Sequence, residues 1–395
     1  MKEGWEYIAF KDVYPIKMGK TPPRGDKSSW DEKKETHNKW VSIADISNNE
    51  GKTVEDTKEY ISDSAAEKIN KVSKGSLLMS FKLSIGRMAF AGDDLYTNEA
   101  IIAIPKNDKY ILRFIYFYLL SYDWLSLTEG NEKVKGATLN KSSIGKIQLP
   151  ILSLSEQQSI VDYLDSAFAK IDAMNANAEK ALNDAKALFQ ASLKEMLEPK
   201  EGWEEKRIDE VCTIARGGSP RPIKDFITNS PEGLNWIKIG DTDMGGKYIY
   251  STKEKIKPEG LKKSRWVEVD EFLLSNSMSF GRPYILKTNG CIHDGWLVLR
   301  DYQKYLNIDF FYYVLSSENV QKQFRIKAQG STVSNLNTDR VASVIIYVPT
   351  IERQQSIVET LDSLKSKVDR LQENYDKISQ DCDALKQAIL RQVFE

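Results

Sequence analysis

The sequence predicts an α+β fold in which two similar α+β domains are separated by two long antiparallel coiled-coil helices, in a circular arrangement with pseudo-two-fold symmetry. Three observations support this prediction: an internal repeat, short β-like runs followed by a helical run in each half, and an apolar heptad stripe that ends each half. The predicted boundaries are 1–152 for the first domain, 153–198 for the central helix, 199–350 for the second domain and 351–395 for the C-terminal helix.

The repeat consists of short blocks that recur in the same order in both halves, which excludes a chance origin. The blocks of the first half are 3–6, 19–22, 40–43, 84–87, 136–138 and 157–161. Their counterparts are 201–204, 217–220, 236–239, 279–282, 330–332 and 354–358. The layout is therefore globular segment, helix, globular segment, helix.

Each globular segment combines β-like and helical patterns. Runs at 40–43, 76–79 and 101–104 are bounded by turn residues, as is typical of strands. A helical run follows at 112–127, with its counterpart at 309–320. These patterns predict a compact α+β domain in each half.

Apolar residues at alternating steps of four and three predict the two long helices. The predicted helix-pairing residues are Ile160, Leu164, Ile171, Met174 and Leu188 in the first copy, and Ile357, Leu361, Val368, Leu371 and Leu385 in the second. One such stripe usually faces a domain core, but two stripes in identical register favour pairing with each other. The predicted register sets Ala178 opposite Leu371 and Ala185 opposite Leu364.

The ends of the helices also carry signals. Ser153 and Glu156 form a capping box, Thr350 can cap the second helix, and Pro199 follows the first as a stop signal. In the repeat, Met1 aligns with Pro199, so the last residues would lead back into the first. A ring with a two-fold axis, and hence antiparallel helices, is expected from this alignment.

Composition bounds the class of protein. The chain has 395 residues, 41% of them hydrophobic, which suits two or more domains with buried cores. The N-terminus does not resemble a signal peptide, and the most apolar run, 111–120, is too short to span a membrane. Three widely separated cysteines suggest neither zinc nor disulfides, so a cytoplasmic location is expected. The two histidines, His37 and His293, are interpreted as surface or packing residues.

Motifs for catalysis are missing from the sequence. Gly19-Lys20-Thr21 lacks the upstream glycine of a phosphate loop, and neither half has a dinucleotide-binding GxGxxG after a strand. Zinc-protease and serine-hydrolase motifs are also absent. The sequence therefore predicts no catalytic residue, no metal and no cofactor.

Polar and basic loops recur instead. Net charge is −1, but the globular segments are mildly basic and the helices acidic, which allows phosphate contact without requiring it. Glycine lets the backbone approach DNA, and Arg or Lys can contact phosphate or guanine. Each such residue can equally belong to a solvated turn. The candidate DNA-binding residues are Lys20, Thr21, Arg24, Lys27, Lys82, Arg87, Lys135, Lys141, Arg216, Ser219, Arg221, Lys224, Arg282 and Lys327.

Taken in order, the Gly-Trp-Glu start, the Gly-x-Thr/Ser-Pro loop, the Gly-Ala/Ser-Thr segment and Gln-Gln-Ser-Ile-Val opening a long helix carry a family likeness. They resemble the specificity subunit of type I restriction–modification enzymes over the whole chain. The resemblance implies two target recognition domains that each read half of a bipartite site in double-stranded DNA. It also implies helices that act as a spacer and dock two methyltransferase subunits, with motor-nuclease subunits joining them.

The resemblance further implies that S-adenosylmethionine and ATP are used by the partners. Glu352-Arg353 departs from the family's usual acidic-Gln helix start, which leaves the partner contact of the second helix less defined. Two other classes remain open. One is a self-sufficient enzyme, such as a nuclease, which the missing motifs oppose. The other is a coiled-coil scaffold without sequence-specific DNA binding, which leaves the large repeated domains unexplained.

Overall fold

The fold is known from a computed structural model that describes residues 2–82, 84–124, 139–242, 246–276, 281–328 and 336–395. It divides into two compact units, residues 1–178 with 376–395 and residues 179–375. Each unit combines a β-rich domain with parts of both long helices. The predicted α+β class, with two β-rich domains and two long antiparallel helices, is confirmed. The predicted domain boundaries themselves stay a prediction.

The first unit contains the following elements. Its strands are β1 (Glu6–Ala9), β2 (Lys17–Met18), β3 (Lys39–Val41), β4 (Thr53–Val54), β5 (Glu59–Tyr60), β6 (Leu77–Ser80), β7 (Met88–Ala91), β8 (Tyr96–Thr97), β9 (Ile101–Ile104) and β10 (Gln148–Ile151). Its short helices are α1 (Phe10–Val13), α2 (Ile43–Asn48), α3 (Asp63–Ala66), α4 (Leu112–Leu120) and α5 (Lys141–Gly145). The long helix α6 (Leu154–Met196) begins in this unit and ends in the second.

The second unit repeats this order. Its strands are β11 (Glu204–Arg207), β12 (Thr213–Arg216), β13 (Ile227–Thr228), β14 (Leu234–Ile237), β15 (Tyr248–Ile249), β16 (Glu254–Ile256), β17 (Arg265–Val267), β18 (Phe272–Ser275), β19 (Pro283–Leu286), β20 (Gly290–Ile292), β21 (Trp296–Arg300) and β22 (Ile345–Val348). Its short helices are α7 (Ile208–Val211), α8 (Ile308–Ser316), α9 (Glu318–Ala328) and α10 (Thr338–Ala342). The long helix α11 (Ile351–Phe394) begins here and ends in the first unit.

The sheet topology carries the sequence repeat into three dimensions. The larger sheet has the order β2-β9-β6-β7-β4 in the first unit and β12-β21-β18-β19-β15 in the second. In both sheets the last strand of this order, β4 or β15, is parallel to its neighbour. The smaller sheet, β5-β3-β8, corresponds to the centre of β13-β16-β14-β20-β17, and the pairs β3–β8 and β14–β20 are both parallel. The repeated blocks therefore encode one topology twice.

Two repeated residues explain why their blocks recur. The carboxylates of Asp45 and Asp241 accept the backbone N–H three residues earlier, in each case at 2.8 Å. Gln157 is fully buried; its amide donates to two backbone carbonyls and its oxygen accepts from Ile111 N–H at 2.8 Å. Gln354 makes the equivalent bonds in the second unit, accepting from Asn307 N–H at 2.8 Å. Each glutamine thus ties the start of a long helix to its own domain.

The long helices begin as the sequence predicts. Ser153 and Glu156 form the expected capping box, with Glu156 accepting from Ser153 N–H at 2.8 Å. Thr350 accepts from Arg353 N–H at 3.4 Å, so the predicted second cap is present. Near the other end of α11, Cys382 Sγ lies 3.8 Å from the carbonyl oxygen of Ile171 within the first unit. The register predicted from the sequence would instead place Ile378 opposite Ile171. Ile378 and Cys382 are four residues apart, so the observed contact lies about one helical turn from the predicted one.

The predicted pairing stripe needs a correction at four of its ten positions. Met174, Leu188, Leu371 and Leu385 are 58%, 61%, 37% and 46% exposed. In each case the next residue is instead half-buried: Asn175, Phe189, Gln372 and Lys386. The next residue in a helix seam can lie three or four positions after the previous one. The prediction took the residue three positions on, such as Met174 after Ile171, whereas in the structure the residue four positions on is the less exposed of the two. The other predicted members, Ile160, Leu164, Ile171, Ile357, Leu361 and Val368, are buried or half-buried.

The helical runs predicted inside the domains also differ from the structure. Helix α4 ends at Leu120, so residues 121–124 of the predicted run are turn and irregular rather than helical, and residues 125–127 lie outside the described residues. The run predicted at 309–320 is two helices rather than one. They are separated at Ser317, whose backbone is extended (φ −66°, ψ 147°) and whose hydroxyl accepts from Val320 N–H. A serine that caps a following helix ends the preceding one, because its extended backbone breaks the helical hydrogen bonding.

Candidate nucleic-acid interface

In the first unit, the predicted loops meet at the turn between β8 and β9. Lys20 N–H, after β2, donates to Thr97 O at 2.8 Å. Phe81 N–H, after β6, donates to Ala100 O at 3.0 Å. Leu139 N–H, which precedes α5, donates to Phe81 O at 3.0 Å. Three loops that are distant in sequence therefore share one surface.

The second unit repeats this arrangement around the turn between β20 and β21. Gly218 N–H donates to Ile292 O at 3.1 Å, and Asn276 N–H donates to Gly295 O at 3.0 Å. Leu336 N–H donates to Asn276 O at 2.9 Å. The same backbone frame therefore supports the candidate loops of both halves, although their side chains differ.

Glycine is required where the first loop crosses this turn. A Cβ on Gly19 would lie 2.0 Å from Thr97 O, and one on Gly217 would lie 2.1 Å from His293 O. No side chain fits at such a distance from a backbone oxygen. The recurrence of glycine at this position, which suggested close approach to phosphate in the sequence, has an internal packing cause.

A hydroxyl–carboxylate pair closes the same contact in each unit. Thr21 Oγ1 donates to Glu99, and Ser219 Oγ donates to Asp294. The Ser219 hydrogen bond lowers the pKa of Asp294 despite partial burial. Burial alone would raise the pKa of Glu99. The Thr21 hydrogen bond and the nearby Lys82 and Arg24 outweigh burial, so the pKa of Glu99 is lowered overall. Both carboxylates therefore remain ionised, and both hydroxyls are engaged inside the protein.

The predicted basic residues of the first unit fall into two groups. Arg24 and Arg87 form ion pairs with Glu59 and Glu50. Lys82 is half-buried, with its ammonium 5.5 Å from the ring centroid of Phe81. Lys20, Lys27 and Lys141 are exposed, as are both arginines. Lys135 lies outside the described residues.

In the second unit, Asp294 organises the first loop. Arg216 Nε donates to Asp294 O at 3.1 Å, and the Arg221 guanidinium lies 3.6 Å from the Asp294 carboxylate while staying 80% exposed. Lys224 is exposed, Arg282 is half-buried next to Gly281, and Lys327 is half-buried on α9. These side chains come from all three candidate loops.

Sequence reasoning missed an aromatic and acidic layer beneath the loops. Arg24 lies over the rings of Trp30 and Trp40, with distances of 4.3 and 4.9 Å to their centroids. In the second unit, Lys238 forms an ion pair with Glu254 beside Trp236. The repeat of Trp40 as Trp236 was the available signal, but spacing alone does not show which cation meets which ring.

His293 belongs to the same surface as a packing residue. Its Nδ1 accepts from Gly295 N–H at 2.8 Å, and its ring lies 6.1 Å from that of Trp236. Burial lowers its pKa, so the imidazole is neutral at pH 7. Asn98 holds the equivalent position in the first unit, where its side-chain oxygen accepts from Ala100 N–H at 2.9 Å.

Within the described residues, no cluster of three or more His, Cys, Asp or Glu side chains is arranged to bind a metal ion. Burial raises the pKa of the Cys212 thiol to about 12 and that of Cys291 to about 11, which keeps both protonated. None of the described helices combines the length and apolar character that crossing a membrane requires.

Comparisons with known proteins agree on one family. The model of the type I restriction modification DNA specificity domain matches residues 2–183 and again 200–380. The specificity subunit of the Escherichia coli type I restriction enzyme EcoR124I/EcoR124II is 26% identical over 271 residues. That match spans 65% of this chain and 64%, just under two thirds, of that subunit.

Two solved structures resemble the whole chain. One comes from work on complex assembly and conformational transition of the type I R-M system; it has a TM-score of 0.76 and 17% identity and covers 100% of this chain and 98% of its own. The HsdS subunit from Thermoanaerobacter tengcongensis has a TM-score of 0.59 and 17% identity, with 100% and 97% coverage. At these identities the likeness establishes a shared fold.

Proposed function

We propose a function from one premise, which is that this chain belongs to the type I restriction modification DNA specificity family. The chain acts as the non-catalytic subunit that selects the DNA target of a restriction–modification complex. Each β-rich domain reads one half of a bipartite site in double-stranded DNA. The long helices dock two methyltransferase subunits, and motor-nuclease subunits complete the complex.

One observation carries the DNA-reading role: both domains hold their three candidate loops on the same backbone frame with different side chains. Gly19 and Gly217 make the same close approach, whereas the loops around them carry basic residues at different positions. A constant frame fixes where the loops meet DNA, and variable side chains decide which base edges they match. Because the loops of the two domains carry different side chains, the two domains are expected to read different half-sites.

The docking role is supported by apolar residues that remain exposed or half-buried on the long helices. In the first unit these are Ala167 and Met174 on α6 and Ile378 and Leu385 on α11; in the second they are Leu364 and Leu371 on α11 and Ala181 and Leu188 on α6. All eight are half-buried or exposed. We call each group of four an outer apolar set.

The two outer apolar sets are equivalent in the repeat. Along each helix the members are seven residues apart, the spacing by which one helix packs along another. Exposed apolar residues scattered singly need no explanation, but the same four positions kept apolar twice favour a partner. Two equivalent sets fit two copies of one helical partner, which we assign to the methyltransferase subunit.

Selection from a random-sequence DNA duplex library tests the DNA-reading role. The full chain, co-purified with the methyltransferase subunits of its own restriction–modification locus, should enrich two short specified segments separated by unspecified bases. A coiled-coil scaffold would enrich no motif. Enrichment of a single uninterrupted motif would contradict the assignment of one half-site to each domain.

Charge placed in one outer apolar set tests the docking role. Met174→Glu and its equivalent Leu371→Glu should each remove one methyltransferase copy, and the double variant should remove both, as counted by native mass spectrometry. Each change puts a charge against an apolar contact, which lowers affinity at least about tenfold. Gln380→Glu, exposed and roughly 200° around α11 from Ile378, is the matched control. Unchanged stoichiometry in the double variant would show that the partner binds elsewhere.

A further inference from the structure

We propose that Arg24 in the first domain and Lys238 in the second each read the guanine of a G·C pair in their half-sites. This assignment rests on the proposed function and adds to it the residues that set base preference. It selects one of the predicted basic residues in the first domain. In the second it selects a lysine that the loop pattern did not contain. The observation behind it is a tryptophan–glutamate pair that both domains share.

In the first domain, Trp40 on β3 faces Glu59 on β5 across an antiparallel pairing. The Arg24 guanidinium forms an ion pair with Glu59 and lies over the rings of Trp30 and Trp40. Both indoles are themselves fixed, because each donates its N–H to a carbonyl of the first loop at 3.1 Å. Arg24 is thus held in one orientation while its side chain stays 55% exposed.

In the second domain, Trp236 on β14 faces Glu254 on β16 in the same pairing. Counted from the shared Gly-x-Thr/Ser-Pro block, proline (Pro222) replaces Arg24 and cannot supply a charge. Lys238 supplies it from the residue after β14, with Nζ 2.5 Å from Glu254 Oε1. It lines a cleft of about 860 Å³ together with Trp236, His293 and the first loop. Glu254 therefore pairs with a lysine that follows β14, whereas the equivalent Glu59 pairs with an arginine of the first loop.

The charge pattern of this pair matches a G·C edge better than a phosphate. Guanine presents two acceptors, N7 and O6, in the major groove, and its partner cytosine presents an amino donor. A cation beside a carboxylate matches this edge, because the cation can donate to guanine and the carboxylate can accept from the cytosine amino group. The carboxylate also opposes the approach of a phosphate, since both are negative. A side chain held before binding loses less rotamer freedom on contact, which favours it for specific recognition.

Base preference in the selected DNA tests the assignment. The wild-type motif should contain a G·C pair in each half. Arg24→Gln should weaken the preference for that pair in one half by about 5- to 150-fold, the range for a lost bidentate contact. Lys238→Gln should do the same in the other half. Arg24→Lys, which keeps the charge beside Glu59 but loses the planar fork, should show an intermediate loss.

Glu59→Gln tests the positioning role of the carboxylate. It keeps the shape of the side chain but removes the charge that holds Arg24, so base preference in that half should weaken while the thermal midpoint stays unchanged. A purely structural ion pair would lower the midpoint and leave the preference intact.

Two ion pairs outside the tryptophan–glutamate frame serve as controls. Lys71 pairs with Asp94 at similar exposure, 58% and 50%, in the first domain, and Lys287 pairs with Asp270 in the second. Lys71→Gln and Lys287→Gln should leave base preference unchanged, whatever they do to overall affinity. If the wild type enriches a bipartite motif that Arg24→Gln and Lys238→Gln leave unaltered, this assignment is wrong and the proposed function stands. If the wild type enriches no motif, the proposed function fails, and the assignment with it.

Discussion

Each unit places a cation beside an equivalent pair of aromatic rings, but the cation comes from a different segment of the chain in each. In the first, Arg113 of α4 lies 4.9 Å from the ring centroid of Tyr116 and bonds Asp165 of α6. In the second, Lys247 lies 5.0 Å from the ring centroid of Tyr312 and pairs with Asp309 of α8. Asp309 occupies the position of Arg113 in the repeat, so the charge has reversed and the pairing has been kept.

This difference shows what the repeat constrains. Each unit keeps a cation, a carboxylate and two aromatic rings together. The segment that supplies the cation or the carboxylate can change, because the two charges remain paired in either arrangement. Gln157 and Gln354 have no such freedom. Each one satisfies backbone groups at a fixed place, and only a side chain with both a donor and an acceptor can do so. The units are therefore expected to respond alike to changes at the glutamines and differently elsewhere.

Removing a buried glutamine should have the largest effect. Gln157→Leu and Gln354→Leu each leave one N–H and two carbonyl groups without their partner. At about 1–3 kcal/mol for each buried group, partly relieved by water, we expect a loss of roughly 3–5 kcal/mol in the free energy of unfolding. Urea unfolding measures it, with Gln158→Ala, an exposed neighbour, as the control. Clearly unequal losses in the two variants would break the equivalence of the two anchors.

Packing at the helix ends differs between the units and predicts an intermediate effect. In the first, Phe394 packs against Trp5, Phe114 and Tyr118. In the second, the repeat places Leu197 and Val314 where Phe394 and Tyr118 stand, and both line a cavity of about 420 Å³. Leu197→Phe should fill part of it and stabilise the chain by about 0.5–2 kcal/mol.

The reciprocal change, Phe394→Leu, should open a cavity in the first unit and destabilise the chain by roughly 1–2 kcal/mol. Differential scanning calorimetry of both variants compares the two sites directly. A lower midpoint for Leu197→Phe would mean that the second unit has no room for the ring.

Titration of His293 should have the smallest effect. Burial lowers its pKa in the folded chain below the unfolded value, so protonation favours unfolding. The stabilisation is therefore present above about pH 6.5, the unfolded pKa, and is lost as pH falls below it, with a slope of at most about 1.4 kcal/mol per pH unit. His293→Asn, which copies Asn98, should remove this part of the pH dependence between pH 7 and pH 5. Equal slopes for wild type and variant in urea unfolding would contradict it.

Much of the fold followed from the sequence because it depends on local or periodic signals. The tandem repeat predicted two copies of one domain, and the capping box at Ser153 and Glu156 predicted where α6 begins. Both kinds of signal depend on residues a few positions apart or on the order of blocks. The seam between the helices was harder, because Met174 and Asn175 are both compatible with a heptad and differ only in which one the fold covers.

The sequence by itself determined the family, the duplication, the α+β class and the long antiparallel helices, since order and periodicity survive without coordinates. The tertiary structure alone decided which side chains meet. Arg24 reaches Trp30, Trp40 and Glu59 from a separate loop, and Lys238 reaches Glu254 although the loop pattern points to Arg221. Such partners come from separate strands and loops, and the pairing of strands in the sheet brings them together rather than spacing along the chain. Charge and aromatic contacts at the candidate DNA surface are therefore properties of the fold.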